Sequence, residues 1–259
     1  MKRFLNKVVI ITGAAQGIGR EVALQMASEG ARLILLDRSE IVEEVSRLAL
    51  QRGAEAAEVL LGDLEKYRTC QKLVQQAYQF NQRIDILINN VGGTIWLKPY
   101  TEYIKSEIES ELQRSLFPTL WCCHATLPFM QKQGAGTIVN VSSIATRGIY
   151  RAPYSAAKGG INALTIALAW ENAKYGIRVN AIAPGGTDVG ERRIPRNSNP
   201  MSEREKAWYQ EVIDQTIDST FVKRFSSVEE QALPVLFMAS DESSYITGTI
   251  LPVGGGDLG

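Results

Sequence analysis

The sequence is poor in the residues that build disulfide frameworks, metal sites and hydrolytic triads. It contains three cysteines, Cys70, Cys122 and Cys123, and a single histidine, His124. An odd number of cysteines with no Cys-x-x-Cys pair argues against a disulfide framework and a zinc site. We therefore expect reduced, buried thiols and no bound metal. A Ser-His-Asp triad is also disfavoured, because the one histidine lies in a segment with helical periodicity.

The chain also lacks an excess of either charge. It carries 28 basic and 28 acidic residues among 259, so its formal net charge is zero. A protein that binds nucleic acid or a membrane surface through its overall charge is basic. We therefore expect neither partner, while a local basic patch is still compatible with this balance.

No apolar run approaches the length of a membrane span. The pair Lys2-Arg3 precedes the apolar stretch 8–11, as in a signal peptide. That stretch is only four residues long and leads directly into a glycine-rich loop, which a signal peptide does not do. It is therefore interpreted as a first buried strand, and the protein is expected to be soluble and cytoplasmic.

Short apolar runs alternate with amphipathic segments along the whole chain. The apolar runs predict strands buried on both faces, at 8–11, 33–36, 59–61, 84–89, 137–141, 178–183 and 249–253. Helical periodicity predicts helices at 18–29, 40–52, 66–80, 100–132, 154–174 and 227–239. Gly30, Gly53 and Gly176 follow three of these helices, as helix-ending glycines do. The alternation predicts one α/β domain over 1–259, a doubly wound (Rossmann) parallel sheet of about seven strands with helices on both faces.

One stretch, 186–203, interrupts this alternation. It is rich in Gly, Pro, Arg, Asn and Ser, and it includes Pro195 and Pro200. A loop of this length in a compact domain is usually functional or mobile. It follows a strand end, where open α/β sheets bind ligands, and we predict that it is a substrate loop.

A glycine-rich turn, Thr12-Gly-Ala-Ala-Gln-Gly-Ile-Gly19, follows the first predicted strand and opens the first helix. Glycines permit a tight turn and let backbone N–H groups approach a pyrophosphate at the helix N-terminus. We expect this turn to bind a dinucleotide through Gly13, Gln16, Gly17, Ile18 and Gly19.

Asp37, at the end of the second predicted strand, bears on the choice of dinucleotide. An acid there can hydrogen-bond a ribose 2′-hydroxyl and would repel a 2′-phosphate. The neighbouring Arg38 has the opposite preference, since an arginine can accommodate NADP, and Asp37 could instead cap the next helix. On balance the sequence favours NAD as the cofactor.

A second motif, Tyr154-Ser-Ala-Ala-Lys158, carries the chemistry. On a helix, residues four apart share a face, so Tyr154 and Lys158 lie together. A free tyrosine is a poor base at pH 7, but a nearby ammonium favours the phenolate. Tyr154 could then take the proton of a substrate hydroxyl while a hydride leaves the same carbon for a nicotinamide.

Further motifs follow in order: Asp63-Leu64, Asn89-Asn-Val-Gly92, Asn140-Val-Ser-Ser143 and Pro184-Gly185. With the two motifs above, they resemble the short-chain dehydrogenase/reductase family over nearly the whole chain. The resemblance implies that Asp63 and Leu64 contact the adenine of the cofactor, and that Asn89 and Gly92 line the cofactor cleft. It also implies that Pro184 and Gly185 belong to the cofactor site, and that Thr187, just past them, contacts the nicotinamide amide.

The same resemblance implies the remaining catalytic roles. Lys158 would hold the nicotinamide ribose, and Ser143 would hydrogen-bond the substrate oxygen, with Ser142 as the alternative. Members of the family usually form homotetramers through their fourth and fifth long helices and the C-terminal strand.

The sequence departs from the family at Ser115, where an asparagine usually completes a catalytic tetrad through a backbone-bound water. Three residues later, Pro118 has no N–H, so it leaves the carbonyl of Arg114 unpaired and should kink the helix. Our hypothesis is that the kink offers a backbone carbonyl to the relay water in place of the asparagine.

Segments 91–99, 115–123 and 184–197 resemble the cis-diol carboxylate dehydrogenases of benzoate and toluate degradation. The implied substrate is 1,6-dihydroxycyclohexa-2,4-diene-1-carboxylate, oxidised to catechol and carbon dioxide. Such a substrate needs a flat apolar wall beside a carboxylate site. The candidates are Trp96 for the wall and Arg147, Arg192, Arg193 or Arg196 for the carboxylate.

Two other interpretations stay open at this point. One is a different alcohol dehydrogenase or a 3-oxoacyl carrier-protein reductase, against which Asp37 and the arginine-rich loop weigh. The other is a dinucleotide-sensing protein without catalysis, which Ser115 supports and which intact Ser143, Tyr154 and Lys158 oppose.

Overall fold

The structure, a computed structural model, describes residues 2–258 and is built on a parallel sheet. In chain order the strands of this range are β1 (Val8–Thr12), β2 (Arg32–Asp37), β3 (Ala56–Leu61), β4 (Ile86–Asn89), β5 (Gly136–Val141), β6 (Ile177–Pro184), β7 (Thr187–Asp188), β8 (Ser226–Ser227) and β9 (Ile250–Val253). Seven pair in the order β3-β2-β1-β4-β5-β6-β9, and β7 pairs separately with β8. The predicted seven-stranded, doubly wound sheet is confirmed.

Helices cover both faces of the sheet. They are α1 (Gly17–Ser28), α2 (Val42–Gln51), α3 (Tyr67–Asn81), α4 (Lys105–Ser115), α5 (Phe117–Gln133), α6 (Ala152–Asn172), α7 (Glu203–Ser219) and α8 (Val228–Ala239). One apolar core packs α1, α2 and α8 on the sheet, and a second packs α3, α5 and α6 on the other face. Alternate side chains of β1 enter opposite cores: Val9 and Ile11 enter the first, Val8 and Ile10 the second.

Two elements differ from the sequence prediction. The helix expected over 100–132 is divided at Leu116 into α4 and α5, and Pro118 lies in the first turn of α5. A proline is tolerated there because a first-turn N–H has no helical partner. The structure also contains α7, where no helix was expected, and Ser202 and Glu205 form a capping box at its start.

The three cysteines are buried and unpaired. Across residues 2–258, no helix is both long and apolar enough to span a membrane.

Candidate active site

A cavity of about 800 Å³ lies at the carboxyl ends of the central strands. Its walls come from residues that follow β1, β2, β4, β5 and β6, and from the loop between β7 and α7. β1 and β4 are neighbours in the sheet, but the helices that follow them pack on opposite faces. Open parallel sheets bind ligands at this kind of switch point.

The glycine-rich turn lies at one end of this cavity. Gly13 and Gly17 have φ angles of +66° and +61°, a region that favours glycine. A Cβ on Gly19 would lie 2.3 Å from the carbonyl oxygen of Gly13. In the described chain no side chain caps the first turn of α1, so its N–H groups are available to an anion. The turn therefore fits a pyrophosphate, and Gln16 and Ile18 line the cavity beside it.

Asp37 lines the cavity at the end of β2. Its carboxylate accepts from the backbone N–H groups of Ala15 and Ser39, each at 3.0 Å, and thereby joins the glycine-rich turn to β2. The guanidinium of Arg38 lies 3.8 Å from the carboxylate of Glu65. The arginine that could favour NADP thus has an acidic neighbour.

Asp63 and Leu64 also line this end of the cavity. Asp63 accepts from the N–H of Glu65 at 3.1 Å, and the thiol of the buried Cys70 donates to the carbonyl of Leu64 at 3.2 Å. Both predicted adenine residues are therefore fixed by contacts with the chain just after them.

Asn89 does not reach the cavity. It is buried, and its amide donates to Asn140 at 2.9 Å and to the sulfur of Cys123 at 3.2 Å. The next residue, Asn90, lines the cavity and donates to the carbonyl of Gly13 at 3.0 Å. Side chains alternate along an extended chain, so the residue just past the strand is the one that faces the cleft.

Pro184, Gly185 and Thr187 lie at and just after the end of β6 and line the cavity. A Cβ on Gly185 would come within 2.9 Å of the backbone of Gly254, so the glycine allows the C-terminal segment to pack closely here.

Tyr154 and Lys158 lie in the first two turns of α6. The ammonium of Lys158 is 5.7 Å from the centre of the Tyr154 ring, and it donates to the carbonyl of Val141 at 2.7 Å. Lys158 is only 2 % exposed. Burial, with a smaller contribution from the charge of Arg196, lowers the pKa of Lys158 to about 7. Gly92 leaves room for this ammonium, since a Cβ there would lie 3.1 Å from it.

Both predicted serines line the cavity, but their hydroxyls differ. Ser142 donates to the amide oxygen of Asn162 at 2.5 Å, away from Tyr154. Ser143 accepts from the N–H of Ala145 at 3.0 Å and is 3.5 Å from the carbonyl of Pro184, which is at the limit for a hydrogen bond. The hydroxyl proton of Ser143 is therefore more readily available to a substrate than that of Ser142.

Ser115 is fully buried and does not line the cavity. Its hydroxyl accepts from the N–H of Gly93 at 3.2 Å, which ties the end of α4 to the loop after β4. The division at Leu116 agrees with the disruption predicted from Pro118. The proposed relay through a freed carbonyl stays a hypothesis.

Glu111, one turn before Ser115 on α4, was not singled out in the sequence. It is fully buried, and one carboxylate oxygen accepts from the N–H groups of Ile95 and Trp96 at 2.7 and 2.9 Å. Burial raises its pKa. Trp96 is thereby fixed outside the cavity lining, while Leu97 lines it. The flat wall predicted from Trp96 is therefore not provided by that side chain.

Arginines cluster at the Tyr154 end of the cavity. Those that line it are Arg147, Arg151, Arg192 and Arg196. Arg193 is directed elsewhere and forms an ion pair with Glu44 at 2.7 Å. Arg151 was missed in the sequence; it is the residue just before α6, three residues before Tyr154.

The predicted substrate loop is attached to the glycine-rich turn. The side-chain amide of Gln16 donates to the carbonyl of Ile194 at 2.8 Å and accepts from its N–H at 3.1 Å. Gln16 therefore connects the dinucleotide end of the cavity to the loop that carries Arg192 and Arg196.

Residues 7–199 match the sequence model described as short chain dehydrogenase. This match spans more than half of the chain, so the protein belongs to the short-chain dehydrogenase family. The family, and the fit of the glycine-rich turn to a pyrophosphate, define an oxidoreductase that uses a nicotinamide dinucleotide.

Two relatives share 58% identity over 258 residues and 100% of this chain. Both are 1,6-dihydroxycyclohexa-2,4-diene-1-carboxylate dehydrogenases, from Pseudomonas putida (95% covered) and Acinetobacter baylyi (98% covered). Among solved structures, an NAD+-bound xylitol dehydrogenase superposes with a TM-score of 0.86 at 29% identity, over 98% of this chain and 100% of the other. Levodione reductase gives 0.86 at 30% identity, covering 98% of each chain.

Proposed function

We propose that the protein oxidises 1,6-dihydroxycyclohexa-2,4-diene-1-carboxylate with NAD, yielding catechol and carbon dioxide. The observation that carries this proposal is the arginine cluster beside Tyr154 and Lys158, in a chain 58% identical to two dehydrogenases of that substrate. A site for a simple alcohol has no need of several guanidinium groups, whereas a carboxylate is their usual partner.

The chain supplies the proton chemistry of this oxidation. Ser143 hydrogen-bonds the secondary hydroxyl and positions it toward Tyr154, whose phenolate takes the proton. The ammonium of Lys158, on the next turn of α6, stabilises that phenolate and would hold the nicotinamide ribose. When bound, the nicotinamide supplies the hydride acceptor.

No residue is required for the loss of carbon dioxide. Oxidation of the hydroxyl creates a ketone next to the carbon that bears the carboxylate. The bond to the carboxylate then breaks with release of carbon dioxide, and its electron pair forms an enolate. The enolate oxygen takes up a proton, and the ring becomes aromatic as catechol. The protein has only to bind the carboxylate beside an apolar ring.

Apolar side chains other than Trp96 are available to contact that ring. Leu97, Ile144, Val212 and Phe225 line the cavity. They come from different segments of the chain, so they can enclose a flat ring from several sides.

NAD is the favoured cofactor because of the carboxylates at the adenosine end. Asp37 lies at the end of β2, where it would repel a 2′-phosphate. Arg38, the residue that could bind such a phosphate, has Glu65 as a neighbour, and Glu65 also pairs with Arg114 at 2.6 Å.

Turnover of the benzoate cis-diol with NAD or NADP, following reduced nicotinamide and catechol together, tests this function. We expect equal amounts of NADH and catechol, little reaction with NADP, and loss of turnover in Tyr154→Phe. An enzyme that oxidises simpler alcohols but not this diol would contradict the substrate assignment. Equal use of NADP would contradict only the role of Asp37.

A further inference from the structure

Arg151 is a cavity arginine whose surroundings differ from those of a solvated surface residue. It lies at the start of α6 and lines the cavity. The Nε atom is buried and has no hydrogen-bond partner within residues 2–258. Within the same residues its side chain makes one hydrogen bond, donated to the amide oxygen of Gln215 at 3.5 Å.

The guanidinium is therefore partly buried without a direct carboxylate partner among the ion pairs of the described chain. Burial lowers the pKa of Arg151 and the charge of Arg196 acts in the same direction, while Tyr154 and Asp257 only partly offset them. Removing a cation from water without a close anion is unfavourable. An anionic ligand in the cavity would supply the missing partner.

Gly148 provides the space that this guanidinium occupies. A Cβ on Gly148 would lie 2.2 Å from Nε and 2.6 Å from Nη2 of Arg151. Gly148 has a φ of −80°, which any residue adopts, so its backbone conformation does not require glycine. A side chain at this position would therefore conflict only with the present place of the Arg151 guanidinium, which would have to move.

The position also matches the chemistry of the substrate. The carboxylate is attached to the carbon next to the one that is oxidised, so its binding group must be a neighbour of Tyr154. Arg151 is the residue just before α6 and precedes Tyr154 by three residues, and a Tyr154 phenolate is close enough to raise the pKa of Arg151. Of the alternatives, Arg147 and Arg196 are exposed, so water already solvates their charge. Arg192 is also partly buried, and burial lowers its pKa to about 10, but it lies on the loop before α7 and not beside Tyr154 in the chain.

We propose that Arg151, seated on Gly148, binds the substrate carboxylate and so selects carboxylated cis-diols over cis-diols that lack the group. This assignment rests on the proposed function. A planar guanidinium can donate two parallel hydrogen bonds to a carboxylate, which a lysine cannot reproduce. Arg151 would thus set the orientation of the ring as well as its affinity.

The test compares two substrates, the benzoate cis-diol and the benzene cis-dihydrodiol, which has no carboxylate. Arg151→Met is expected to lower kcat/KM for the first on the order of 100-fold, and for the second by less than about threefold. Arg151→Lys should recover only part of the loss.

Gly148→Ala, which displaces the guanidinium without removing it, should also lower kcat/KM for the carboxylated diol selectively. Arg47→Met, an exposed arginine of α2, is the matched control and should change neither value.

Equal losses on both diols, in folded Arg151→Met and Gly148→Ala variants, would show that Arg151 only shapes the site and would overturn the proposal. Unchanged turnover of the carboxylated diol would overturn it as well. If the wild-type enzyme oxidises only the diol without the carboxylate, the proposed function itself has failed. The two failures are therefore distinguishable.

Discussion

At the scale of single residues, Lys158 combines deep burial with a charge that the proposed reaction requires. Its ammonium donates to the carbonyl of Val141, and the surrounding protein lowers its pKa from 10.5 to about 7. A lowering from 10.5 to about 7 corresponds to roughly 5 kcal/mol between the two protonation states. The free enzyme therefore holds this ammonium at a cost in folding free energy.

Replacing Lys158 with methionine should remove that cost, and the gain should depend on pH. Between about pH 7 and 10.5 the unfolded lysine keeps its proton while folded Lys158 has lost it, so wild-type stability rises with pH in this window. Below pH 7 the full penalty applies. In denaturant titrations without cofactor, Lys158→Met should thus exceed wild type by a few kcal/mol at pH 6 and by little at pH 10. Lys72→Met, at an exposed lysine, is the control, and a gain independent of pH would contradict the argument.

The two adjacent serines give a second prediction at this scale. The hydroxyl of Ser142 is committed to Asn162, so we expect Ser143 to contact the substrate oxygen. Ser143→Ala should lower kcat about 100-fold or more. Ser142→Ala should lower it less than about tenfold, with a loss of stability near 1 kcal/mol. Steady-state kinetics and denaturant titration of both variants check this, and the reverse order of kinetic effects would reassign the role to Ser142.

Which residues reach the cavity could be predicted only in part. The glycine-rich turn, Tyr154 and Lys158 follow from local spacing, because a strand end and a helical turn fix their neighbours. Arg151 and Glu111 could not be recognised in this way, since their roles depend on chain segments distant in sequence. That Asn90 and not Asn89 lines the cavity has a different cause: a shift of one residue at a strand end reverses which side chain faces the cleft.

At the scale of elements, the contact between Gln16 and the loop before α7 connects two parts of the cavity. Both hydrogen bonds of the Gln16 amide go to the backbone of Ile194, and the ion pair between Arg193 and Glu44 lies beside them. The loop is thus attached to the glycine-rich turn, while Arg192 and Arg196 line the cavity. Its freedom to move should depend on this contact.

Gln16→Leu is expected to release the loop. Two hydrogen bonds of about 1 kcal/mol each imply at least a tenfold increase in the population that trypsin can cut after Arg193 or Arg196. Gln25→Leu, elsewhere on α1, is the matched control. Limited proteolysis followed by mass spectrometry gives the rates and the sites. Equal cleavage rates in wild type and Gln16→Leu would show that the contact does not restrain the loop.

The elements themselves were largely predictable from periodicity. Apolar runs with two buried faces predicted the parallel strands, because each face of this sheet is covered by helices. The helix α7 was not recognised because it buries few residues, chiefly Val212 and Thr216. The Ser202-x-x-Glu205 pattern at its start was the available signal, and the proline-rich stretch before it concealed that signal.

At the scale of the whole molecule, zero net charge does not mean an even distribution of charge. Four arginines without a carboxylate ion pair among the described residues line the Tyr154 end of the cavity. At the other end Asp37, Asp63 and Glu65 are accompanied by Arg38 and Arg114, both next to Glu65. A cleft lined by one sign of charge raises the local concentration of oppositely charged ligands. The arginine-rich end therefore favours a carboxylated substrate, and the end with the three acids favours a ribose without a 2′-phosphate.

The outer surface of α6 carries the last prediction, which concerns assembly. Ile166 and Trp170, four residues apart on one face, are 52% and 88% exposed in the single chain. Full burial of such side chains is worth roughly 2–3 kcal/mol each. The family resemblance implies a tetramer through the fourth and fifth long helices, and the fifth helix predicted from the sequence, 154–174, is α6. Light scattering after gel filtration should give four times the 28.6 kDa chain mass for wild type. Trp170→Asp should give a smaller species at micromolar concentration, because each copy would bring a charge into the contact.

Phe80→Asp, at a residue 56% exposed on α3, is the control and should leave the mass unchanged. A monomeric wild type, or an intact tetramer in Trp170→Asp, would show that α6 does not form the interface.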